Sequence, residues 1–256
     1  MKSRKKLIVG NWKMNPRSLT EAKKSFVTFK RLRHSTVGVT TVICPPFVFL
    51  SELRKSYSGS AIFFGAQDVA WQKEGAFTGE VSTAMLQSIG CHFVIVGHSE
   101  RRAMGESNEL VSSKVKAALK SEMHTIVCVG ESERDMQGKY LHFIENQIHE
   151  SLAGVSRQLA EKLIVAYEPL WAIGNGNSAM SPNEVHQMSL FIHKILVKLY
   201  GRKSAEKISI LYGGSVDDEN AKSIVYDGNV DGLLVGRQSL NPYEFSKIIN
   251  VISKKK

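Results

Sequence analysis

The stretch Leu163-Ile164-Val165-Ala166-Tyr167-Glu168-Pro169-Leu170-Trp171-Ala172-Ile173-Gly174-Asn175-Gly176 changes character at Glu168. Leu163 to Ala166 are apolar and partly β-branched, the composition of a strand buried on both faces. Pro169 has no N–H to give to a ladder and ends the strand at once. Glu168 is thereby placed at a strand's C-terminal rim, among apolar neighbours that penalise its charged form and raise its basicity. The loop beyond carries Trp171 and Ile173, with Pro169, Gly174 and Gly176 as hinge residues. Two readings fit this segment. It holds either a base beneath a movable lid or a strand-end carboxylate in a structural ion pair under a buried loop.

The same kind of strand recurs at residues 7–11, 41–44, 62–66, 93–96, 125–129, 208–212 and 232–235. Amphipathic helical patterns lie between, at 19–32, 108–119, 140–159, 181–200 and 242–252. Strand and helix in alternation, without hairpin signals, mean parallel strands joined by crossover helices. Strands apolar on both faces fit helices on one side and a barrel interior on the other. About eight such units in a chain of this length match a (β/α)₈ barrel. No linker or low-complexity segment interrupts them, so the reading is a single domain over residues 1–256. A doubly wound open sheet is the alternative, though it typically has fewer strands.

Composition narrows the function classes. With 43% hydrophobic and 23% charged residues, the chain is neither disordered nor fibrous. Its net charge of +10 steers small anions toward it by long-range attraction. The basic residues are dispersed and not interleaved with aromatics, which weighs against nucleic acid as a partner. Cys44, Cys91 and Cys128 are too far apart for a disulfide framework or a metal-type pair. Each lies in or beside an apolar run, where a buried, inert thiol is the usual outcome. Leu7-Ile8-Val9 is too short for a signal-peptide core, and no run is long enough to span a bilayer. The expectation is a soluble cytoplasmic protein with no membrane partner.

A barrel places its chemistry at strand C-terminal ends. In order these carry Asn11 and Lys13, Gln67 and Asp68, His98, Glu131, Glu168, Gly213-Gly214-Ser215 and Gly236. Glycine turns after the last two strands offer backbone N–H groups with no side chain in the way, which suits a phosphate. They also suit a plain tight turn; two at adjacent rims favour phosphate. His98 closes an apolar strand and opens the charged turn Ser99-Glu100-Arg101-Arg102. A helix starting there would lower the imidazole pKa and keep the ring neutral. If residues 11–13 are extended, Asn11 and Lys13 point the same way and present an amide and an ammonium to one cavity.

Asn11-Trp12-Lys13-Met14-Asn15, Val96-Gly97-His98-Ser99-Glu100-Arg101-Arg102, Ala166-Tyr167-Glu168-Pro169-Leu170-Trp171-Ala172-Ile173-Gly174 and Tyr212-Gly213-Gly214-Ser215 together resemble the signatures of the triosephosphate isomerase family. They fall in family order, and the resemblance covers essentially the whole chain. It implies interconversion of dihydroxyacetone phosphate and D-glyceraldehyde 3-phosphate, a step of glycolysis and gluconeogenesis, without cofactor or metal. It implies Glu168 as the base, His98 as a neutral electrophile and Lys13 with Asn11 as oxyanion donors. That base and electrophile pair is the family's known chemistry rather than a deduction from spacing. It further implies that Ser99 and Glu100 support the site, Glu100 by pairing with Lys13. Backbone N–H groups of Gly174, Ser215, Gly236 and Arg237 would hold the phosphate, and closure of residues 169–179 would exclude water.

The chain departs from the family in three places. Arg237 stands where a second glycine is usual, which costs roughly 1 kcal/mol if that position needs positive φ. Residues 174–179 replace the usual Thr and Lys of the lid tip with Gly174-Asn175-Gly176-Asn177-Ser178-Ala179. Gln67-Asp68 stands where Gln-Asn is frequent, placing a charge at the base of the next loop. That loop, residues 68–82, has neither helical nor strand periodicity and carries Trp71 and Phe77. Its Gly75-Ala76-Phe77-Thr78-Gly79-Glu80 resembles the family's interdigitating loop, which implies a homodimer. A sugar-phosphate aldolase or epimerase would want a Schiff-base lysine or clustered metal ligands, which the rim lacks. A non-catalytic barrel would have lost Lys13, His98 or Glu168.

Overall fold

Each strand pairs with its successor in the chain, and the last returns to the first. β1 (Lys6–Asn11), β2 (Val39–Cys44), β3 (Ile62–Ala66), β4 (Phe93–Val96), β5 (His124–Val129), β6 (Leu163–Tyr167), β7 (Ser209–Tyr212) and β8 (Gly232–Val235) form a closed parallel barrel. Closure is made by β8 on β1, with Gly10 opposite Val235. The computed structural model describes residues 5–32, 37–172 and 179–253. The barrel expected from the alternation of strand and helix is therefore the observed one, and the open sheet is excluded.

Side chains alternate across each strand, which splits the core into two layers. Leu7 and Val9 of β1 join Val42, Ile95, Ile126 and Leu211 inside the barrel. Ile8, between them, faces outward with Phe26, Phe29 and Phe245 of the helices Leu19–Leu32 and Pro242–Ile252. Both faces of each strand are thus apolar for separate reasons, one the barrel interior and the other the helix layer. Among the described residues no helix is long and apolar enough to cross a membrane.

The helix expected at 140–159 is shorter, Lys139–Ser151. Gly154 takes φ 76°, outside any helix, and a separate 3₁₀ turn Leu159–Lys162 leads into β6. The helix after the 173–178 segment starts on a capping box. Ser181 Oγ accepts the Glu184 N–H, the Glu184 carboxylate accepts the Ser181 N–H, and Pro182 fills the first turn. Short helices such as Thr83–Ser88 and Ser99–Ala103 carry too few turns for a periodic signal, and the sequence pattern does not show them.

Candidate active site

At the C-terminal mouth of the barrel lies a cavity of about 360 Å³. Asn11 and Lys13 line it from β1, His98 and Ser99 from β4, and Glu168 from β6. The turns after β7 and β8 complete it with Gly213, Gly214, Ser215, Gly236 and Arg237. Of the residues expected at the site, only Gly174 lies outside the described residues. Glu131, Gln67 and Asp68 sit at strand ends but do not line the cavity; their work lies behind it.

His98 is the N-cap of the helix Ser99–Ala103. Its Nδ1 accepts the Glu100 N–H at 3.2 Å, so the ring proton belongs on Nε2. Nε2 stands 3.1 Å from Oε1 of Glu168. A helix dipole alone would lower the imidazole pKa; here the net shift is upward. Burial pulls the value down most, but the Glu168 carboxylate bonded to the ring and the Glu100 carboxylate nearby together hold it above the ordinary value. The helix is only five residues long, so its dipole is weak.

Glu168 needs the matching correction. It is fully buried, and burial alone would raise its pKa as the apolar neighbours predicted. Two donors reverse this: the His98 ring at Oε1 and the Ser99 N–H at Oε2, 3.0 Å away, hold the carboxylate below its ordinary value. Held by these two hydrogen bonds Glu168 is a weak base, and it gains basicity only when a donor is drawn away from it.

Lys13 is not in the extended conformation that the alternation argument assumed. Its φ is 52°, a left-handed conformation that costs a non-glycine residue about 1–3 kcal/mol. The surroundings hold it there. The Lys13 N–H donates to Asn11 Oδ1 at 2.9 Å, and Gln67 Nε2 donates to the Lys13 carbonyl at 2.9 Å and to the Cys44 carbonyl at 2.8 Å. Nζ meets Glu100 Oε1 at 2.6 Å, the pairing that the family resemblance implied. Asn11 and Lys13 still share the cavity, but a strained turn puts them there, not a straight strand.

The two glycine turns also make room for the reactive side chains. A Cβ on Gly213 would stand 2.9 Å from Cγ of Glu168, and one on Gly236 would stand 3.2 Å from Cε of Lys13. Arg237 opens the 3₁₀ turn Arg237–Leu240 and does not adopt positive φ, so the penalty considered for it does not arise. Arg237→Gly is accordingly expected to leave kcat and KM within a few-fold of wild type in a steady-state assay. A large change in either would show that the guanidinium itself handles substrate.

Three supports were not assigned by sequence reasoning. Arg102 donates to the Gly97 carbonyl at 2.7 Å and to Cys128 at 3.2 Å, fixing the end of β4 against β5. Glu131, buried at the end of β5, accepts from Tyr167 Oη at 2.7 Å, Trp171 Nε1 at 2.8 Å and Arg134 Nε at 3.0 Å. It anchors the start of the loop after β6. Ser215 Oγ donates to the Ala172 carbonyl at 2.9 Å, tying that loop to the turn after β7. Apart from the Arg102–Gly97 and Arg134–Glu131 bonds, each contact joins residues at least 26 positions apart, so no local pattern announces it.

A parallel eight-stranded barrel with an ammonium, an imidazole and a carboxylate converging at its C-terminal mouth is the architecture of a (β/α)₈-barrel enzyme. Residues 6–252 match the family model described as triosephosphate isomerase. A protein of that name from Carboxydothermus hydrogenoformans is 45% identical over 248 residues, covering 96% of this chain and 98% of that one. Those of Endomicrobium trichonymphae and Moorella thermoacetica are 44% and 42% identical, with the same coverage of each chain. The chain belongs to the triosephosphate isomerase family. It is an aldose–ketose isomerase that interconverts dihydroxyacetone phosphate and D-glyceraldehyde 3-phosphate, a reaction of glycolysis.

Proposed function

We propose that Glu168 carries the proton between the two substrate carbons, with His98 and Lys13 polarising the carbonyl oxygen. The observation that supports this most is the Nε2–H of His98 directed at a buried carboxylate across 3.1 Å, in a cavity that Lys13 also lines. A substrate carbonyl oxygen entering beside Nε2 and Nζ takes over the donors that now face Glu168 and Glu100. Glu168, relieved of a donor, becomes more basic where it is needed. It removes the proton from the hydroxyl-bearing carbon, and that electron pair forms the C–C double bond of an enediolate as charge moves to the carbonyl oxygen. Asn11, Lys13 and His98 stabilise this oxygen, where preorganised donors contribute most. Protonation of the other carbon by Glu168, with proton exchange between the two oxygens, completes the isomerisation.

Phosphate is held by the N–H groups of Ser215, Gly236 and Arg237, with Gly174 joining from the loop of residues 169–179. Grip on the remote phosphate supplies binding energy that positions the reacting carbons. Closure of that loop excludes water and discourages loss of phosphate from the enediolate. The test uses D₂O. Carboxylate transfer places solvent deuterium on the product carbon, in competition with direct return of the abstracted proton. Product without carbon-bound deuterium would rule out an exchangeable carboxylate carrier and favour a hydride shift.

The active form is a homodimer built on the loop of residues 68–82. Phe77 is 38% exposed there and packs on Trp71 at 5.3 Å between ring centroids, while Met14, beside Lys13, is 94% exposed. Met14 displayed beside Lys13, and an exposed aromatic ring on the loop, fit a partner that covers them. Sedimentation at micromolar concentration is expected to give a dimer, and Phe77→Glu a monomer of reduced activity. A wild-type monomer with full activity would overturn this. The setting is a reducing cytoplasm, in keeping with three buried cysteines that form no disulfide.

A further inference from the structure

The opposite mouth of the barrel, at the strand N-terminal ends, holds a second cavity of about 630 Å³ that the isomerisation does not use. One wall is aromatic. The His124 and Phe93 rings stack at 4.7 Å and 19°, Phe63 meets Phe93 at 5.8 Å, and His92 abuts Phe63 at 6.2 Å. Phe63 and His124 are only partly buried and His92 is exposed, so ring surface is open to an incoming group. Burial, with Lys162 and His92 nearby, lowers the His124 pKa and keeps that ring neutral.

The rim is cationic. Lys5, Lys162 and Lys207 line it, against two carboxylates, Glu122 and Glu161. Lys162 donates to the Glu122 carbonyl at 2.8 Å and reaches its carboxylate at 3.7 Å, and Lys207 reaches Glu161 at 2.5 Å, all solvent-exposed contacts that an anion can rearrange at little cost. Lys5 has no carboxylate partner among the described residues. Open rings beside an excess of ammonium groups complement one ligand chemistry: a flat ring to stack, and an acid group to meet the lysines. We propose that the N-terminal mouth of the barrel is a second binding site, for a planar aromatic anion seated on Phe63 and His124 with its acid group at Lys5 and Lys162.

The test is calorimetric titration of the intact protein in phosphate buffer, which keeps the phosphate turns of the active site occupied. Naphthalene-1-sulfonate and adenosine monophosphate serve as ring-bearing anions and methanesulfonate as the anion without a ring. At least one ring anion is expected to saturate with a Kd of about 1 mM or tighter, and methanesulfonate to bind far more weakly. Preference between the two ring anions tells an aryl acid site from a nucleotide site. The Lys5→Ala/Lys162→Ala variant should bind about tenfold more weakly with isomerase turnover unchanged. Its substitutions are at accessible positions, and an unaltered melting temperature confirms the fold. No saturable ring-anion binding, equal binding of methanesulfonate, or unchanged affinity in the variant would each overturn the proposal.

Discussion

Glu168→Gln lowers kcat by about 10²- to 10⁴-fold while KM stays within a few-fold, because an amide cannot accept the substrate proton and phosphate is gripped elsewhere. A second consequence comes from the hydrogen bonds around the carboxylate. The wild-type carboxylate accepts from both the Ser99 N–H and the His98 Nε2–H. Glutamine offers one acceptor oxygen, and its NH₂ must face one of those donors. His98 cannot resolve the conflict by changing tautomer, since Nδ1 is already occupied as the acceptor of the Glu100 N–H. One buried donor is left unpaired, at a cost of about 1–3 kcal/mol of stability.

That loss depends on pH in a known direction. The folded Glu168 pKa is depressed, so its contribution is present above the ordinary value of 4.5 and disappears as pH falls through the lowered value. The stability gap between wild type and Glu168→Gln therefore narrows in acid. Chemical denaturation at several pH values reads it, beside a coupled assay of turnover. A variant with kcat within tenfold of wild type would remove Glu168 from the proton path.

The parts legible in the sequence are those set by local pattern. β3, β4, β6 and β8 begin and end where their apolar runs do, because burial on both faces leaves no polar residue inside the strand. Knowing that strands are parallel projects their ends onto one mouth, which gathers Lys13, His98 and Glu168 without any contact being known. What the pattern could not give is the electrostatics. The basicity expected of Glu168 came from its neighbours in sequence, whereas its charge is set by His98 and by Ser99, 69 positions away. An extended Lys13 follows only if strand alternation is carried two residues past the end of β1 at Asn11. Gln67 and the Asn11 side chain hold it otherwise, and neither contact has a sequence signature.

Asp68 shows the same limit and leads to the other large expected effect. The sequence marks it only as a charge at the base of the loop of residues 68–82. In the fold it is buried with Lys114 and Glu106, and the partly exposed Arg101 lies beside them. Lys114, 1% exposed, donates to both Asp68 oxygens at 2.9 and 2.8 Å and to Glu106. Arg101 closes the ring, at 2.8 Å from Asp68 and 3.2 Å from Glu106. Two cations balance two anions, and Lys114 is the more deeply buried cation.

Lys114→Met fills a similar volume but leaves Arg101 alone between two buried carboxylates. An uncompensated buried charge of this kind costs about 3–5 kcal/mol. Adding Asp68→Asn to that variant restores neutrality and should recover part of the loss, a coupling that a double-mutant cycle measures directly. Burial already raises the Asp68 pKa against the pull of Lys114, and removing the lysine raises it further. A carboxyl whose folded pKa exceeds its unfolded one binds more protons when native, so stability increases as pH falls through the folded value toward the ordinary one. Lys114→Met is thus expected to be less destabilised near about pH 5 than near about pH 7, the reverse of the usual acid weakening. Urea unfolding at fixed protein concentration decides it. Equal loss at both pH values, with no rescue by Asp68→Asn, would mean that Lys114 matters for its packed aliphatic stem and not for its charge. The cluster also bears on the site, since Asp68 follows Gln67, which holds Lys13, and Arg101 belongs to the helix that His98 caps. Loosening it should therefore lower kcat in the folded fraction as well, by moving the donors around the oxyanion and not by touching substrate.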